Sequence, residues 1–178
     1  VQTCALPIYL AVTLQQVGAD RESMIEYAAT LRLEPGHMGA LWNYGNLLRL
    51  DERFDVALPL FERLHEIAPD YQGLKLAIAI TNYGLRRLDA SERWFRLAAK
   101  YDAQDPIVWW EMAHCLLTRG EWGEGFDCYD RRFEGAAKNG VYAYPFPFPL
   151  WKGESLRGRS ILVHGEQGLG DEIMFADR

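Results

Sequence analysis

A spacing of 34 residues recurs along this chain, from starts at Cys4, Met38, Gln72 and Pro106. Three positions inside the unit keep their character in every copy: the eighth and twentieth are small, and the twenty-fourth is aromatic. These residues are Ala11, Gly45, Ala79 and Ala113; Ser23, Ala57, Ser91 and Gly125; and Tyr27, Phe61, Phe95 and Tyr129. Small residues let two helices approach closely, and an aromatic ring fills the space beside them. The pattern therefore predicts four helix–turn–helix units.

The period and these positions resemble the tetratricopeptide repeat (TPR), as do Pro35 and Pro69 at position 32. The resemblance implies an all-α solenoid of about four repeats over residues 9–136, in which stacked units share one core. Each unit is expected to hold a helix A and a helix B. The predicted helices span residues 8–17, 20–33, 38–50, 54–67, 72–85, 89–102, 106–119 and 122–134.

The corners between helix A and helix B carry a second signal. Gly18 and Gly120 stand at position 15, where a left-handed residue suits the turn. The match is imperfect, because Glu52 and Arg86 occupy this position in the other two units. Aspartates that suit the N-caps of later helices are Asp70 and Asp89.

Composition narrows the function classes. The formal net charge is −6, so the chain lacks the positive potential that attracts the phosphates of a nucleic acid, and no nucleic-acid partner is expected. No apolar run reaches the ~18 residues of a membrane span. Cys4, Cys115 and Cys128 show no CxxC spacing, and the four histidines show no ligand spacing, so neither a metal site nor a disulfide framework is expected. A reducing cytoplasm is the expected compartment.

Both ends of the chain resemble translated sequencing adapters. The first eight residues read VQTCALPI, and Asp177-Arg178 fits the start of an adapter on the other strand. The expectation is that residues 1–8 are not native and that native sequence runs from about Tyr9 to Ala176. The alternative is an ordinary helical start, in which Leu6 takes an apolar position.

The TPR pattern stops after Glu134, and two different segments follow. Residues 137–159 include a stretch, Tyr142 to Pro149, in which aromatics alternate with alanine and prolines, and this predicts a semi-rigid linker that packs on the last repeat. Residues 160–178 begin with the β-branched run Ile161–Val163 and continue into a glycine-rich turn. Strand, glycine turn and helix start are typical of the opening of a Rossmann-like domain, here truncated. The glycines of the turn are Gly165, Gly168 and Gly170.

A family resemblance covers about the last 30 residues. The residues that carry it are Pro149-Leu150-Trp151, Gly153, Leu156, Gly158 and the sequence HGEQGLGD at residues 164–171. They resemble bacterial proteins in which TPR repeats precede a glycosyltransferase domain of the GT-B type, related to the heptosyltransferases. The resemblance implies a fragment of an enzyme that uses a nucleotide-sugar donor, with residues 1–178 inactive on their own.

The same resemblance assigns functions to the glycine turn. Asp171 matches the proposed general base, which would take the proton of the acceptor hydroxyl. Independently of the resemblance, the glycine pattern suggests that Gly165, Gly168 and Gly170 let the backbone approach a substrate closely. The alternative is that Asp171 only caps the helix that follows.

The inner face of the repeats is the second candidate site. Positions 5, 9 and 12 of helix A line the groove of TPR domains and are largely apolar and aromatic here. The residues at these positions are Trp42, Leu76 and Trp110; Asn46, Ile80 and His114; and Arg49, Tyr83 and Leu117. Such a surface fits an extended peptide or a partner helix. The alternative is that the chain's own linker, with Phe146 and Phe148, or the missing domain covers it.

Two functions remain open at this point. In one, the repeats recruit or orient the acceptor of a bacterial glycosyltransferase. In the other, the chain is a non-catalytic scaffold that binds a peptide or partner helix in its groove.

Overall fold

The computed structural model describes residues 5–131 and 153–161. Eight helices occupy the first of these ranges. They are α1 (Ala5–Gln16), α2 (Asp20–Leu33), α3 (Met38–Leu50), α4 (Phe54–Ile67), α5 (Leu74–Gly84), α6 (Leu88–Tyr101), α7 (Pro106–Arg119) and α8 (Trp122–Asp130). The predicted helices are confirmed: α2, α3, α4 and α7 have the predicted bounds, and the bounds of α1, α5 and α6 differ by less than one turn. Helix α8 begins at the predicted residue, and residues 132–134 of its predicted span lie outside the described range.

The helices pack in sequence order as a solenoid. Each odd-numbered helix pairs with the next as the A and B helices of one unit, and each B helix packs on the A helix of the following unit. The A helices of neighbouring units also touch, α3 against α5 and α5 against α7. Because A helices approach one another in this way, they form the inner, concave side of the stack.

Small residues at positions 8 and 20 hold the two helices of a unit together. Ser23 Oγ donates a hydrogen bond of 2.8 Å to the carbonyl oxygen of Ala11, and Ser91 Oγ donates one of 2.9 Å to that of Ala79. All four residues are buried. The serines therefore have two roles: their small size lets the helices approach closely, and their hydroxyl groups hydrogen-bond helix B to the backbone of helix A.

The aromatics at position 24 fill the core. Tyr27, Phe61 and Phe95 are almost completely buried, whereas Tyr129 in the last unit is partly accessible. The ring of Phe61 lies directly over Gly45, where an added Cβ would stand 2.6 Å from Phe61 Cε1. Only a residue without a side chain fits at this crossing.

Gly45→Ala is expected to lower the free energy of unfolding by about 1–3 kcal/mol, because its methyl group would overlap a buried ring. This loss outweighs the gain of about 1 kcal/mol in helix propensity. Gly123→Ala in α8 is the matched control, since nothing lies within 4 Å of its added Cβ. The control is expected to be neutral or stabilising in urea denaturation. Equal effects of the two variants would contradict the close crossing.

The A-to-B corners share one geometry although their residues differ. Gly18 and Gly120 have φ values of 76° and 84°, and Glu52 and Arg86 have 58° and 59°. Each corner is closed by a backbone hydrogen bond of 2.8–2.9 Å: Ala19 N to Leu14 O, Arg53 N to Leu48 O, Arg87 N to Asn82 O, and Glu121 N to Leu116 O. The left-handed corner is thus set by the helix pair, and two units keep it without glycine.

The predicted N-caps are wrong. The N-cap of α5 is Gly73 and that of α6 is Arg87, and neither makes a side-chain cap. Among helices α2 to α8, side-chain N-caps are made by His37 on α3 and Asp105 on α7.

Parts of the sequence interpretation fall outside what the structure covers. The glycine turn and Asp171 lie beyond residue 161, and most of the proline-rich linker lies between the two described ranges. Residues 153–161 form turns and irregular backbone without a strand. At the other end, α1 already begins at Ala5, inside the segment interpreted as adapter-derived.

Candidate functional site

The residues predicted to line the groove lie on the A helices α3, α5 and α7. Each of them is partly buried, so each is held by the fold and still has accessible surface. They are Trp42, Asn46, Arg49, Leu76, Ile80, Tyr83, Trp110 and His114. Together these eight residues form the A-helix groove.

Two tryptophans stand at opposite ends of the A-helix groove, and each is braced by rings of its own unit. The Trp42 ring contacts those of Phe61 and Tyr71, at centroid distances of 5.9 and 5.2 Å. The Trp110 ring stacks on Tyr129 at 5.4 Å with an interplanar angle of 25°. Both indoles are therefore fixed in place before any ligand arrives.

A chain of polar contacts runs along the inner side of α3. Asn46 Nδ2 donates to the carbonyl oxygen of Trp42 at 3.0 Å, and Arg49 Nη2 donates to Asn46 Oδ1 at 3.3 Å. Arg49 Nε is buried and has no hydrogen-bond partner in the described part of the chain. Burial lowers the pKa of Arg49, and the charge of Glu111 partly offsets this effect. The guanidinium thus has spare donors at a half-buried position.

Glu111 is a groove residue that the sequence interpretation did not select. It lies on α7 one turn before His114 and is partly buried. Burial raises the pKa of its carboxyl group, while the charges of His114 and Arg49 act in the opposite direction. The sequence does contain a sign of its importance. Position 6 of the four units is occupied by Tyr9, Asn43, Ala77 and Glu111, and of these only Glu111 is charged at neutral pH.

Glu111→Gln is expected to stabilise the chain by about 1 kcal/mol at pH 7, because it removes a desolvated carboxylate. The folded state binds the Glu111 proton more tightly than the unfolded state, since the folded pKa is raised. Stability is therefore lost as the pH rises from about 4.3 through the folded pKa. Urea denaturation between pH 4 and 7 should show a smaller decline for the variant than for the wild type.

Glu124→Gln is the matched control for this prediction. Its carboxylate accepts hydrogen bonds of 2.8 and 2.9 Å from Arg96, and this contact lowers the pKa of Glu124. The contact between Glu124 and Arg96 stabilises the folded state above about pH 4.3, and this stabilisation disappears as the pH falls through the lowered pKa of Glu124. In the Glu124→Gln control, the free energy of unfolding at pH 7 should fall by no more than about 1 kcal/mol, since the ion pair of Glu124 with Arg96 is exposed. A destabilised Glu111→Gln across the whole pH range would contradict the assignment.

A cleft of about 380 Å³ lies beside the groove, at the N-terminal ends of α5 and α7. Lys75 in its wall donates to the carbonyl oxygen of Pro69 at 2.7 Å and to Asp70 Oδ1 at 3.2 Å. Its ammonium group also stands 3.8 Å from the ring centroid of Tyr101. The cation of this cleft is therefore already satisfied by the chain itself.

Over residues 5–131 and 153–161, no group of three or more His, Cys, Asp or Glu side chains is arranged to hold a metal ion. Within the same ranges no helix combines the length and the apolar character needed to cross a membrane. The predicted catalytic set, Gly165, Gly168, Gly170 and Asp171, is not among the described residues and stays a prediction.

Comparison with known proteins agrees with the repeat architecture. Residues 48–113 match the tetratricopeptide repeat family. Over 177 residues the chain is 30% identical to Protein FlbA of Caulobacter vibrioides, an alignment that covers 94% of this chain and 28% of FlbA. The chain thus spans little more than a quarter of the length of that relative.

Solved structures with the same fold are more distant in sequence. MamA from Desulfovibrio magneticus RS-1 has a TM-score of 0.71 at 15% identity, over 76% of this chain and 77% of MamA. A tetratricopeptide repeat protein from Parabacteroides merdae has a TM-score of 0.61 at 20% identity, over 74% of this chain and 52% of that protein. YrrB, described as a TPR protein with an unusual peptide-binding site, has a TM-score of 0.63 at 17% identity, over 72% of this chain and 67% of YrrB. The described repeats therefore form a TPR solenoid.

Proposed function

We propose that this TPR solenoid is a protein-interaction module that binds an extended peptide of a partner in the A-helix groove. The observation that carries the proposal is the pair of braced, partly accessible indoles of Trp42 and Trp110. Rigid aromatic side chains that keep some accessible surface are the usual anchors of peptide and protein interfaces, because they bury a large area at small entropic cost.

The surroundings of these indoles support an extended ligand. Leu76 and Ile80 of α5 lie between the two tryptophans and offer an apolar floor. Asn46, Arg49, Glu111 and His114 add polar groups that can meet a peptide backbone or side chain. YrrB shares the fold and is itself described as peptide-binding, which is consistent with this use of the scaffold.

The test is a peptide selection followed by substitution of the anchors. Peptides selected from a random library on the purified protein should bind Trp110→Ala about 10-fold to 100-fold more weakly than wild type. Trp122→Ala is the control, because Trp122 is 62% exposed and lies on the B helix α8, not on one of the A helices that carry the A-helix groove. Binding that survives loss of Trp110 but not of Trp122 would place the ligand on another surface.

We also propose that the repeats recruit or orient the acceptor for a glycosyltransferase domain that begins near residue 160. The support is the sequence from Pro149 to Asp171, which resembles such a junction. In this proposal a nucleotide sugar is the donor, Asp171 is the general base, and the glycines from Gly165 to Gly170 form the substrate turn. The site would work in the cytoplasm.

A non-catalytic scaffold is the competing function. It uses the same groove but needs no sheet after residue 160. The two are separated by the sequence of the whole protein: a run of alternating strands and helices after Asp171 favours the enzyme. Incubation of the whole protein with labelled nucleotide sugars should then show transfer to the bound partner.

A further inference from the structure

Three side chains of α7 lie side by side at one end of the A-helix groove. Trp110 and His114 are four residues apart, and their ring centroids are separated by 5.2 Å. Glu111 precedes His114 by three residues, a spacing that places two side chains on the same face of a helix. All three residues belong to one helix, so their proximity does not depend on how the units stack.

A hydrogen bond determines which nitrogen of His114 can accept a proton donor. His114 Nδ1 lies 2.8 Å from the carbonyl oxygen of Trp110, and a carbonyl oxygen can only accept, so Nδ1 carries a hydrogen. In the neutral imidazole, Nε2 then keeps a lone pair. His114 therefore offers an acceptor on the side of the ring away from its own helix backbone.

The chain itself uses neither of these acceptors in the ranges that the structure describes. There the Glu111 carboxylate forms no hydrogen bond or ion pair, and His114 Nε2 forms no hydrogen bond. The unpartnered side-chain atoms that are fully buried there are Arg49 Nε and His65 Nδ1. The Glu111 oxygens and His114 Nε2 are not among them, so both groups keep surface that a ligand can reach.

We propose, resting on the peptide-binding function above, that the α7 end of the A-helix groove binds a basic side chain of the peptide, arginine or lysine. The aliphatic stem of this side chain packs on the indole of Trp110. Its charged head donates hydrogen bonds to the Glu111 carboxylate and to His114 Nε2. The π-system of Trp110 also favours a cation beside it.

The other side-chain classes fit this position less well. An acidic side chain would bring a like charge to Glu111. An aliphatic side chain would cover the carboxylate without giving it a donor. The charge of Arg49 on α3 works against a basic ligand, but Arg49 forms no ion pair with Glu111 in the described residues. The place of a cationic partner at Glu111 is therefore open to the peptide.

The test uses four pools of fluorescein-labelled octapeptides that share random aromatic and aliphatic flanks. Each pool fixes one central residue as arginine, lysine, leucine or glutamate. Fluorescence anisotropy on the wild-type protein should show the arginine and lysine pools binding about 10-fold more tightly than the leucine pool, with the glutamate pool weakest. If the leucine or the glutamate pool binds most tightly, the inference is overturned.

Glu111→Gln should reduce the advantage of the two basic pools over the leucine pool to about 3-fold or less, because it removes the charge and keeps the size of the side chain. The control is Glu124→Gln, which removes the same charge from α8, where Arg96 already holds the carboxylate. This control is needed because a chain with a formal net charge of −6 attracts any basic peptide. Both variants change the net charge equally, so equal effects on the ranking would contradict a site at Glu111.

His114→Phe tests the second acceptor. The variant keeps a ring beside Trp110 but removes Nε2, so it should weaken the basic pools by about 3-fold and leave the leucine pool unchanged. Equal weakening of all pools would mean that His114 only supports the shape of the groove. The urea midpoint of each variant checks that it is folded.

The same measurements separate this inference from the proposed function. Pools that bind the wild-type protein equally well, with binding still lost in Trp110→Ala, would contradict the basic-residue site and leave peptide binding intact. If no pool binds the wild-type protein, the peptide-binding function is itself contradicted, and the basic-residue site with it.

Discussion

Phe61→Ala is expected to lower the free energy of unfolding by about 3–5 kcal/mol, a large part of the stability of a domain of this size. Phe61 is 0% exposed, and its ring fills the space over Gly45 and beside Trp42. Alanine would leave a cavity at the centre of the second unit. Because each unit is stabilised mainly by its neighbours, the loss should reach the first and third units as well.

Urea denaturation followed by far-UV circular dichroism measures this effect. The control is Phe126→Ala, which removes the same side chain at a position that is 53% exposed on α8. The control should change the free energy of unfolding by about 1 kcal/mol or less, since little buried area is lost. A midpoint for Phe61→Ala equal to that of the control would mean that the repeat register is wrong.

The repeat period predicts the helices because the same packing contact between helix A and helix B recurs in every unit. Position 8 must be small wherever the aromatic of position 24 crosses it, as Gly45 and Phe61 illustrate. The corners were harder to predict. Glu52 and Arg86 adopt the left-handed conformation that glycine adopts elsewhere, because the packing of the helix pair outweighs the local preference.

The N-caps failed for a related reason. Asp89 falls inside α6 and pairs with Arg119 of α7, and Asp70 accepts a hydrogen bond from Lys75. Both aspartates therefore serve partners outside the local backbone. A propensity read from neighbouring residues cannot include the contact of Asp89 with Arg119, since it depends on how the units stack.

The groove was partly predictable. Trp42 and Trp110 follow from their positions on helix A, because the repeat fixes which positions face inward. The significance of Glu111 does not follow, since it arises from burial and from the charge of Arg49 two units away. A site made of single residues from different repeats leaves no periodic trace in the sequence.

In the whole protein, Asp171→Asn is expected to lower kcat by about 100-fold or more while the Kd for the nucleotide-sugar donor stays nearly unchanged. Under the proposed glycosyltransferase function, the Asp171 carboxylate takes the proton of the acceptor hydroxyl as that oxygen attacks the anomeric carbon. Asparagine keeps the size and the capping oxygen of aspartate but cannot accept the proton. The loss should therefore fall on the chemical step and leave binding alone.

Single-turnover kinetics and a separate donor-binding titration distinguish these two effects. Asp127→Asn is the control, because it makes the same change of charge at an exposed position of α8. The control should keep wild-type kcat and donor affinity. If Asp171→Asn is as active as this control, Asp171 is not the base; its side chain then only caps the helix that follows, which asparagine does about as well as aspartate.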